Sequence, residues 1–538
     1  MKTTLLHAGR AAACLVLAGA LLTSCSLLPA ASPLPDLAPA EDTTLYDTTR
    51  LEDGRLRILY SADGSTVLCG GKVLHEGRAD ESISLVYDPQ EIEIPYYWVA
   101  WSDNTSASGR RSALYDTTGA AVQTFDRDYS VSLCGTLLVL NRAENIEFSG
   151  DPSVQPGDCR VLDLATGQEF PVPDNAYQCA ATGDLLAFTC YDRPDSLSSD
   201  EYDEALYQHT RMVLQDKAGN VLREEDRCTA WNFASGDSSI STDWLLLNYY
   251  GEDDPYASMD AVLYNTATGE ELYGLSQACG NGTASFQTDD GHYQLVDLAS
   301  TEQSQVLSTF DSSVSYYLPG AAVTWNSSDA SRNFRYQFHD LETGEVKDVF
   351  NLDVSDTQMA VYTTDGMLRV YDRTTGAILT DLTVEPLEDQ DTAQIWTVGD
   401  DYVLLMLYPA GDRTPPTIRI YNAQGLVREL DNSTTSVDGY TYFSPLTTVD
   451  GHAYFRYGYD GPNNTTLYDV LDENGNTVLK GLSTCYSYYS TGANSLPAGA
   501  FVARKGFYYG WMAPDGQWLY CHSIFSSPTD EGGLGYLL

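Results

Sequence analysis

Met367-Leu-Arg-Val-Tyr-Asp-Arg-Thr-Thr-Gly-Ala-Ile-Leu379 reads as two short strands joined by a tight turn. The side chains before the turn alternate. Leu368 and Val370 point to one side, Arg369 and Tyr371 to the other, which is the period of a strand. Asp372 bonds its own backbone and opens the turn, and Gly376 supplies the positive φ that closes it.

The same unit recurs along the chain. It stands at Leu59–Gly64, Leu114–Gly119, Val161–Gly167, Leu214–Gly219, Leu263–Gly269 and Phe338–Gly344. It returns at Ile420–Gly425, Val470–Gly475 and Met512–Gly516, and Leu295–Thr301 is a copy without the glycine. Ile418 and Ile420 oppose Arg419 and Tyr421 as in the first hairpin. No long stretch has strong helical periodicity, so the chain is expected to be all-β.

The turn glycines step by 55, 48, 52 and 50 from Gly64 to Gly269. They step by 75 to Gly344, then by 32, 49, 50 and 41 to Gly516. A period near 50 fits a four-stranded propeller blade. A closed ring buries both faces of each sheet against its neighbours and hides the chain's open ends. Eleven hairpins are too many for a usual ring at one per blade. Merging the pair near 269 and 301 and the pair near 344 and 376 leaves nine. A shared first and last blade gives an eight-bladed β-propeller, with seven as the alternative count. An open β-solenoid or two smaller propellers are the other architectures. The turn Tyr-Asp-x-x-Thr-Gly-x-x-Leu resembles that of quinoprotein-type and WD-type propeller blades. The tryptophan docking positions of the quinoprotein repeat are missing, so the resemblance implies the scaffold and does not imply quinone binding. Ala503–Leu519 loosely resembles a WG repeat, with Asp472–Leu479 similar to the turn of a preceding one; the likeness covers about 460–525.

The N-terminus reads as an address. Lys2 and Arg10 are basic, and Ala11–Leu22 is an apolar run of 12 residues, too short to span a bilayer. Leu22-Thr-Ser-Cys25 then resembles the bacterial lipobox. The resemblance implies a signal peptide over 1–24, cleavage before Cys25, and a diacylglycerol on the Cys25 sulfur. Two or three acyl chains anchor a protein stably. Residues 25–45 are rich in Pro and Ala and read as a semi-rigid tether, with the repeat body over 46–538. The expected place is therefore the bacterial cell membrane, lipid-anchored and facing the extracytoplasmic side.

Composition narrows the partners. The 538 residues are 43% hydrophobic, enough for a large core and too much for a disordered chain. The net charge is −47. Phosphate binding needs a basic footprint, so nucleic acid is not an expected partner. Like charge also holds the body off anionic headgroups.

Motifs of chemistry are absent. There is no Gly-x-Ser-x-Gly elbow, no His-Glu-x-x-His and no phosphate-cradling loop. No catalytic residue, metal ligand or cofactor is assigned. His75, His209, His292, His339, His452 and His522 are scattered, and His339 is expected to decorate a turn. Acidic clusters at Asp200–Glu204, Glu252–Asp254 and Glu388–Asp391 lack ordered calcium-loop spacing and read as solvated surface. Nine cysteines follow Cys25, and an exported protein can pair them. Cys69 and Cys521 each stand five residues after a turn glycine, in the first and last repeats, so a ring-closing disulfide between them is a candidate. Tyrosine is plentiful at 38 and comes in pairs such as Tyr96-Tyr97, Tyr249-Tyr250, Tyr316-Tyr317, Tyr488-Tyr489 and Tyr508-Tyr509. One of each pair can pack between sheets while the other faces out. Three functions stay open: a binding or scaffold propeller for an extracellular protein or glycan, a carbohydrate- or peptide-acting hydrolase or lyase, and an assembly factor for envelope proteins. Fold alone does not choose among them.

Overall fold

The hairpin at Met367–Leu379 is present as strands Met367–Asp372 and Ile378–Thr383. Asp372 Oδ1 accepts the Thr375 N–H at 2.7 Å and its hydroxyl at 2.8 Å, and Gly376 has φ 71°. Asp116 is held in the same way by Thr118 and Ala120, and Asp216 by Ala218 and Asn220. The computed structural model describes residues 43–45, 54–60, 64–86, 95–106, 109–142, 159–192, 208–233, 239–251, 259–299, 303–325 and 336–386. It also describes 392–408, 416–430, 442–461, 465–487, 496–497, 499–506 and 508–523. The expected signal peptide, Cys25, the three acidic clusters and Tyr488–Tyr489 lie outside the described residues.

The described strands form ten antiparallel sheets, most of four strands in sequence order. The one seven-stranded sheet is two four-stranded units sharing the long strand Val346–Val354. Its first half pairs with Tyr336–Asp340 and its second with Gln358–Thr363. Eleven units result, spanning 57–76, 81–125, 129–169, 176–226, 228–273, 275–310, 314–349, 350–383, 392–430, 442–482 and 484–523; they are numbered 1 to 11 below. Each hairpin of the sequence falls in its own unit, so the merging that gave eight is not seen. Leu263–Gly269 belongs to unit 5 and Leu295–Thr301 to unit 6, and the shared strand explains the step of 32.

Period two feeds two cores at once. Leu368 and Val370 of unit 8 pack with Ile395 and Leu405 of unit 9. Tyr371, on the opposite face, packs with Phe338 of unit 7, their rings stacked 5.5 Å apart. Ile418 and Ile420 face Phe443 and Phe455 of unit 10, while Tyr421 joins unit 8. Among the described residues there are eleven such clusters, each shared by two neighbouring units, and the packing order is cyclic. The eleventh joins Trp511 and Tyr520 of unit 11 to Leu59 and Leu68 of unit 1. There the Tyr509 hydroxyl donates to Tyr60 O at 2.9 Å and the Tyr520 hydroxyl to Thr66 Oγ1 at 3.5 Å. Tyr97 and Tyr509 are buried in these clusters, so inter-sheet packing claims one tyrosine of their pairs. Thr43–Leu45 departs from the tether expectation. It lies antiparallel along Trp518–Ser523 as a fifth strand of unit 11, taking up backbone groups that a sheet edge leaves unpaired. Among the described residues no helix is long and apolar enough to cross a membrane.

The repeated turns link fold to pH. Hydrogen bonds from the Thr375 backbone, first, and its hydroxyl hold Asp372 below the ordinary 3.8. Asp116, Asp163, Asp216 and Asp340 are lowered by equivalent turn donors. A carboxyl lowered in the folded state stabilises it above the unfolded value and loses that contribution as pH falls through the folded one. Relief of self-repulsion in so acidic a chain acts the other way at higher pH. The thermal midpoint is therefore expected to drop below about pH 4. Melts followed by tryptophan fluorescence check this, and a midpoint still rising at about pH 3 contradicts it.

Candidate functional site

The first strands of successive units are laced to one another. Gln277 Nε2 of unit 6 donates to Val314 O of unit 7 at 2.7 Å, and Ser276 Oγ meets Ser313 Oγ at 2.7 Å. Asp353 Oδ2 of unit 8 accepts the Thr397 N–H and hydroxyl of unit 9 at 2.7 and 2.8 Å. Gln178 of unit 4 reaches Ala230 O of unit 5 at 3.5 Å. Second strands add a recurrent latch to the next unit. Asn141 Oδ1 accepts Cys179 N–H, Thr189 Oγ1 accepts Ala230 N–H, and Ser285 Oγ accepts Val314 N–H, at 2.9, 3.2 and 3.2 Å. An unmet buried N–H costs about 1–3 kcal/mol, which explains polar residues in otherwise apolar second strands. Fourth strands are the exposed ones: Ala121–Phe125 and Val221–Asp226 are mostly open to solvent. First strands thus form a common inner rim and fourth strands the outer edge.

Charge follows this division. Along the first strands of units 2 to 11 the only ionisable acids are Glu81 and Asp353, with no Lys or Arg, and the first strand of unit 1 adds a buried Arg57. Both acids are engaged. Burial pushes the Glu81 carboxyl up, but hydrogen bonds from His75 and the Arg78 backbone outweigh it and leave it below the usual range. The outer strand Val221–Asp226 alone carries Arg223, Glu224, Glu225 and Asp226. Outer arginines pair across strands, as Arg160 does with Glu169 and Arg419 with Glu429.

One large ring opens from this sparsely charged rim. On the first strand of unit 5, Cys228 and Ala230 pack inward while Thr229 and Trp231 face the other way. Trp231 is 48% exposed, and its Nε1 donates to Thr229 Oγ1 at 3.3 Å, which fixes the indole and leaves its face open. More aromatic rings stand where second strands end: Tyr250, Trp325, Tyr408 and Tyr459. In an antiparallel meander this end also carries the second-to-third connections and the links between units. Those connections include the longest in the chain, between Arg142 and Arg160 and between Tyr191 and Thr210. Trp325 meets Tyr336 edge-on at 5.1 Å, and Tyr457 stacks on Tyr459 at 6.0 Å. Burial, then the Asp469 charge, pushes the Tyr459 hydroxyl up to about 12, so it stays a neutral donor.

The residues singled out in the sequence do not converge. Cys69 packs between units 1 and 2 and Cys521 between units 10 and 11. Cys69 Sγ donates to Gly54 O at 3.0 Å, and with the two residues in different clusters the structure does not bring the candidate disulfide together. His339 lies in a strand, not a turn, with Nε2 2.8 Å from Thr324 Oγ1, and burial lowers its pKa. His75 and His452 pair with Glu81 and Glu473, and His292 with Asp311. Among the described residues no group of three or more His, Cys, Asp or Glu is placed to hold a metal ion. The inner rim itself escaped the sequence reading. Its signal was present as a scarcity of charge along the first strands.

No curated protein matches the chain. Solved structures do, at low identity and low TM-score. BamB from Moraxella catarrhalis is 12% identical, with 72% of this chain and 97% of that one covered and a TM-score of 0.26. A eukaryotic initiation factor is 11% identical, with 72% and 95% covered and a TM-score of 0.29. The computationally designed Ika8 protein is 13% identical, with 64% and 96% covered and a TM-score of 0.26. Residues 263–531 match a family described as a domain of unknown function (DUF5046), and with half of its length inside that match the chain belongs to this family.

Proposed function

We propose that the protein is a lipid-anchored extracytoplasmic binding scaffold. Its body is a closed β-propeller of eleven blades, and its inner rim takes a neutral polar ligand, a glycan or an uncharged stretch of polypeptide. The observation that carries this reading is the sparsely charged rim in a chain of net charge −47, with Trp231 open on it. Serine, glutamine and threonine side chains there offer donors and acceptors, and an exposed indole face offers a low-entropy contact for a sugar ring. Cyclic packing supports the ring. The lipobox-like Leu22–Cys25 supports the anchor, since basic start, apolar run and box agree.

The test is a titration of the full chain in detergent with neutral oligosaccharides and an uncharged polar peptide, read by tryptophan fluorescence. The expected result is a saturable change that persists at high salt, because only charged partners are screened. Trp231→Ala is expected to weaken it roughly tenfold or more, the scale of a lost stacking contact of about 1–3 kcal/mol. Binding only to a cationic peptide, and only at low salt, overturns the neutral-ligand reading. The anchor has a separate test. Labelled fatty acid fed to expressing cells is expected to enter the wild-type protein and not Cys25→Ala, and equal labelling of both refutes the anchor.

A further inference from the structure

Four of the nine described cysteines meet in one cluster between units 3 and 4. Cys159, Cys179 and Cys190 are buried there and Cys134 packs against them. Two of them share an anchor. The Asn141 side chain accepts the Cys179 N–H at 2.9 Å, and the Cys159 thiol points to the same Oδ1 at 3.7 Å. The Cys159 N–H is itself tied to Ala176 O of unit 4 at 3.3 Å, which places the start of its strand against the first strand of the next unit. Cys159 also acts on the Cys179 thiol as a hydrogen-bonding neighbour. The other two are occupied differently. Cys134 Sγ donates to Ala181 O at 3.5 Å, and Cys190 faces Ala176 across its own hairpin.

We propose that Cys159 and Cys179 are a reversible dithiol–disulfide site that staples unit 3 to unit 4. A second pair shows why shared burial alone is not enough. Cys485 and Cys521 also share a cluster, but they sit in one row with Ala503 and Gly510 between them. Three strand spacings of about 4.8 Å put them about 14 Å apart, beyond any disulfide. Cys159 and Cys179 come from two different sheets whose faces meet, so no strand intervenes.

The oxidant is a low-molecular-weight disulfide. One protein thiolate attacks a sulfur of that disulfide, forms a mixed disulfide and releases one thiolate. The second protein thiolate attacks the mixed disulfide, releases the second small thiolate and leaves the Cys159–Cys179 bond. Two protein thiols are oxidised, one disulfide is reduced to two thiols, and the two protons pass to the released thiolates. Burial raises the Cys179 and Cys190 thiols, so exchange is slow at neutral pH and faster in alkali. The bond joins residues 20 positions apart and constrains the unfolded chain.

The experiment exposes the reduced full chain to excess oxidised glutathione at mildly alkaline pH, then quenches with acid. Proteolysis and mass spectrometry without reductant follow. The expected result is a linked peptide pair holding Cys159 and Cys179, two hydrogens lighter than the free pair, with a raised thermal midpoint that dithiothreitol reverses. Cys190→Ala keeps the link, while Cys159→Ala abolishes it, and near-identical melts of the two reduced variants exclude misfolding as the cause. Glutathione adducts without a link, a link between other cysteines, or a full complement of free thiols each overturn the proposal.

Discussion

Trp511→Ala is expected to lower the unfolding free energy by about 3–5 kcal/mol, the usual cost of emptying a large aromatic site. Trp511 is 1% exposed at the centre of the cluster that joins unit 11 to unit 1. Its indole lies 6.2 Å from the Tyr520 ring. A counter-term pulls the value to the lower end. The Trp511 Nε1 is buried and finds no partner among the described residues, so the wild type already carries an unmet donor. Trp511→Phe keeps most of the volume and removes that donor, and is expected to stay within about 1.5 kcal/mol of wild type. Urea unfolding measures both. Hydrogen exchange locates the effect: in Trp511→Ala, protection should fall in residues 57–76 as well as in unit 11. Loss confined to residues 484–523 would contradict a closed ring.

Gly376→Ala is the second large expected effect, at about 3 kcal/mol or more. Two costs add. The residue has φ +71°, and a left-handed conformation costs an L-residue roughly 1–2 kcal/mol. A Cβ there would also stand 2.0 Å from Pro319 O of unit 7, so backbone has to move. Gly167→Ala is the control. Gly167 has φ +70° and open space around it, so it should show only the first cost. Equal midpoints for the two variants would mean that the turn of unit 8 does not press on unit 7. The comparison isolates inter-unit contact from turn chemistry, which a single substitution cannot do.

The hairpins were legible because turn chemistry is local. Asp372 and Gly376 announce themselves within five residues, and alternation at Leu368–Tyr371 assigns both faces correctly. Unit count was not legible for two reasons. The strand Val346–Val354 serves two sheets, which shortens one repeat step to 32 and imitates a second hairpin in one blade. In unit 6 the turn after Asp297 lacks glycine, which made that copy look subordinate. The rim failed differently. Gln277, Asn141 and Trp231 have no shared sequence mark, since each is defined by what the neighbouring sheet brings to it. The Cys69–Cys521 pairing failed because equal offsets from a turn do not set the face a side chain takes.

Closure between residues about 450 positions apart also sets an order in time. The Tyr509–Tyr60 and Tyr520–Thr66 bonds span 449 and 454 positions. A chain made at about 5–20 residues per second needs roughly half a minute to two minutes to deliver its last sheet. Through that interval sheets can stack one on the next, but Leu59 and Leu68 stay wet at the leading end. A growing stack with an apolar face at each end can join another copy before it joins itself. Fast synthesis and low copy number would favour self-closure, and moving the chain ends by circular permutation would change which apolar face waits, not how long it waits.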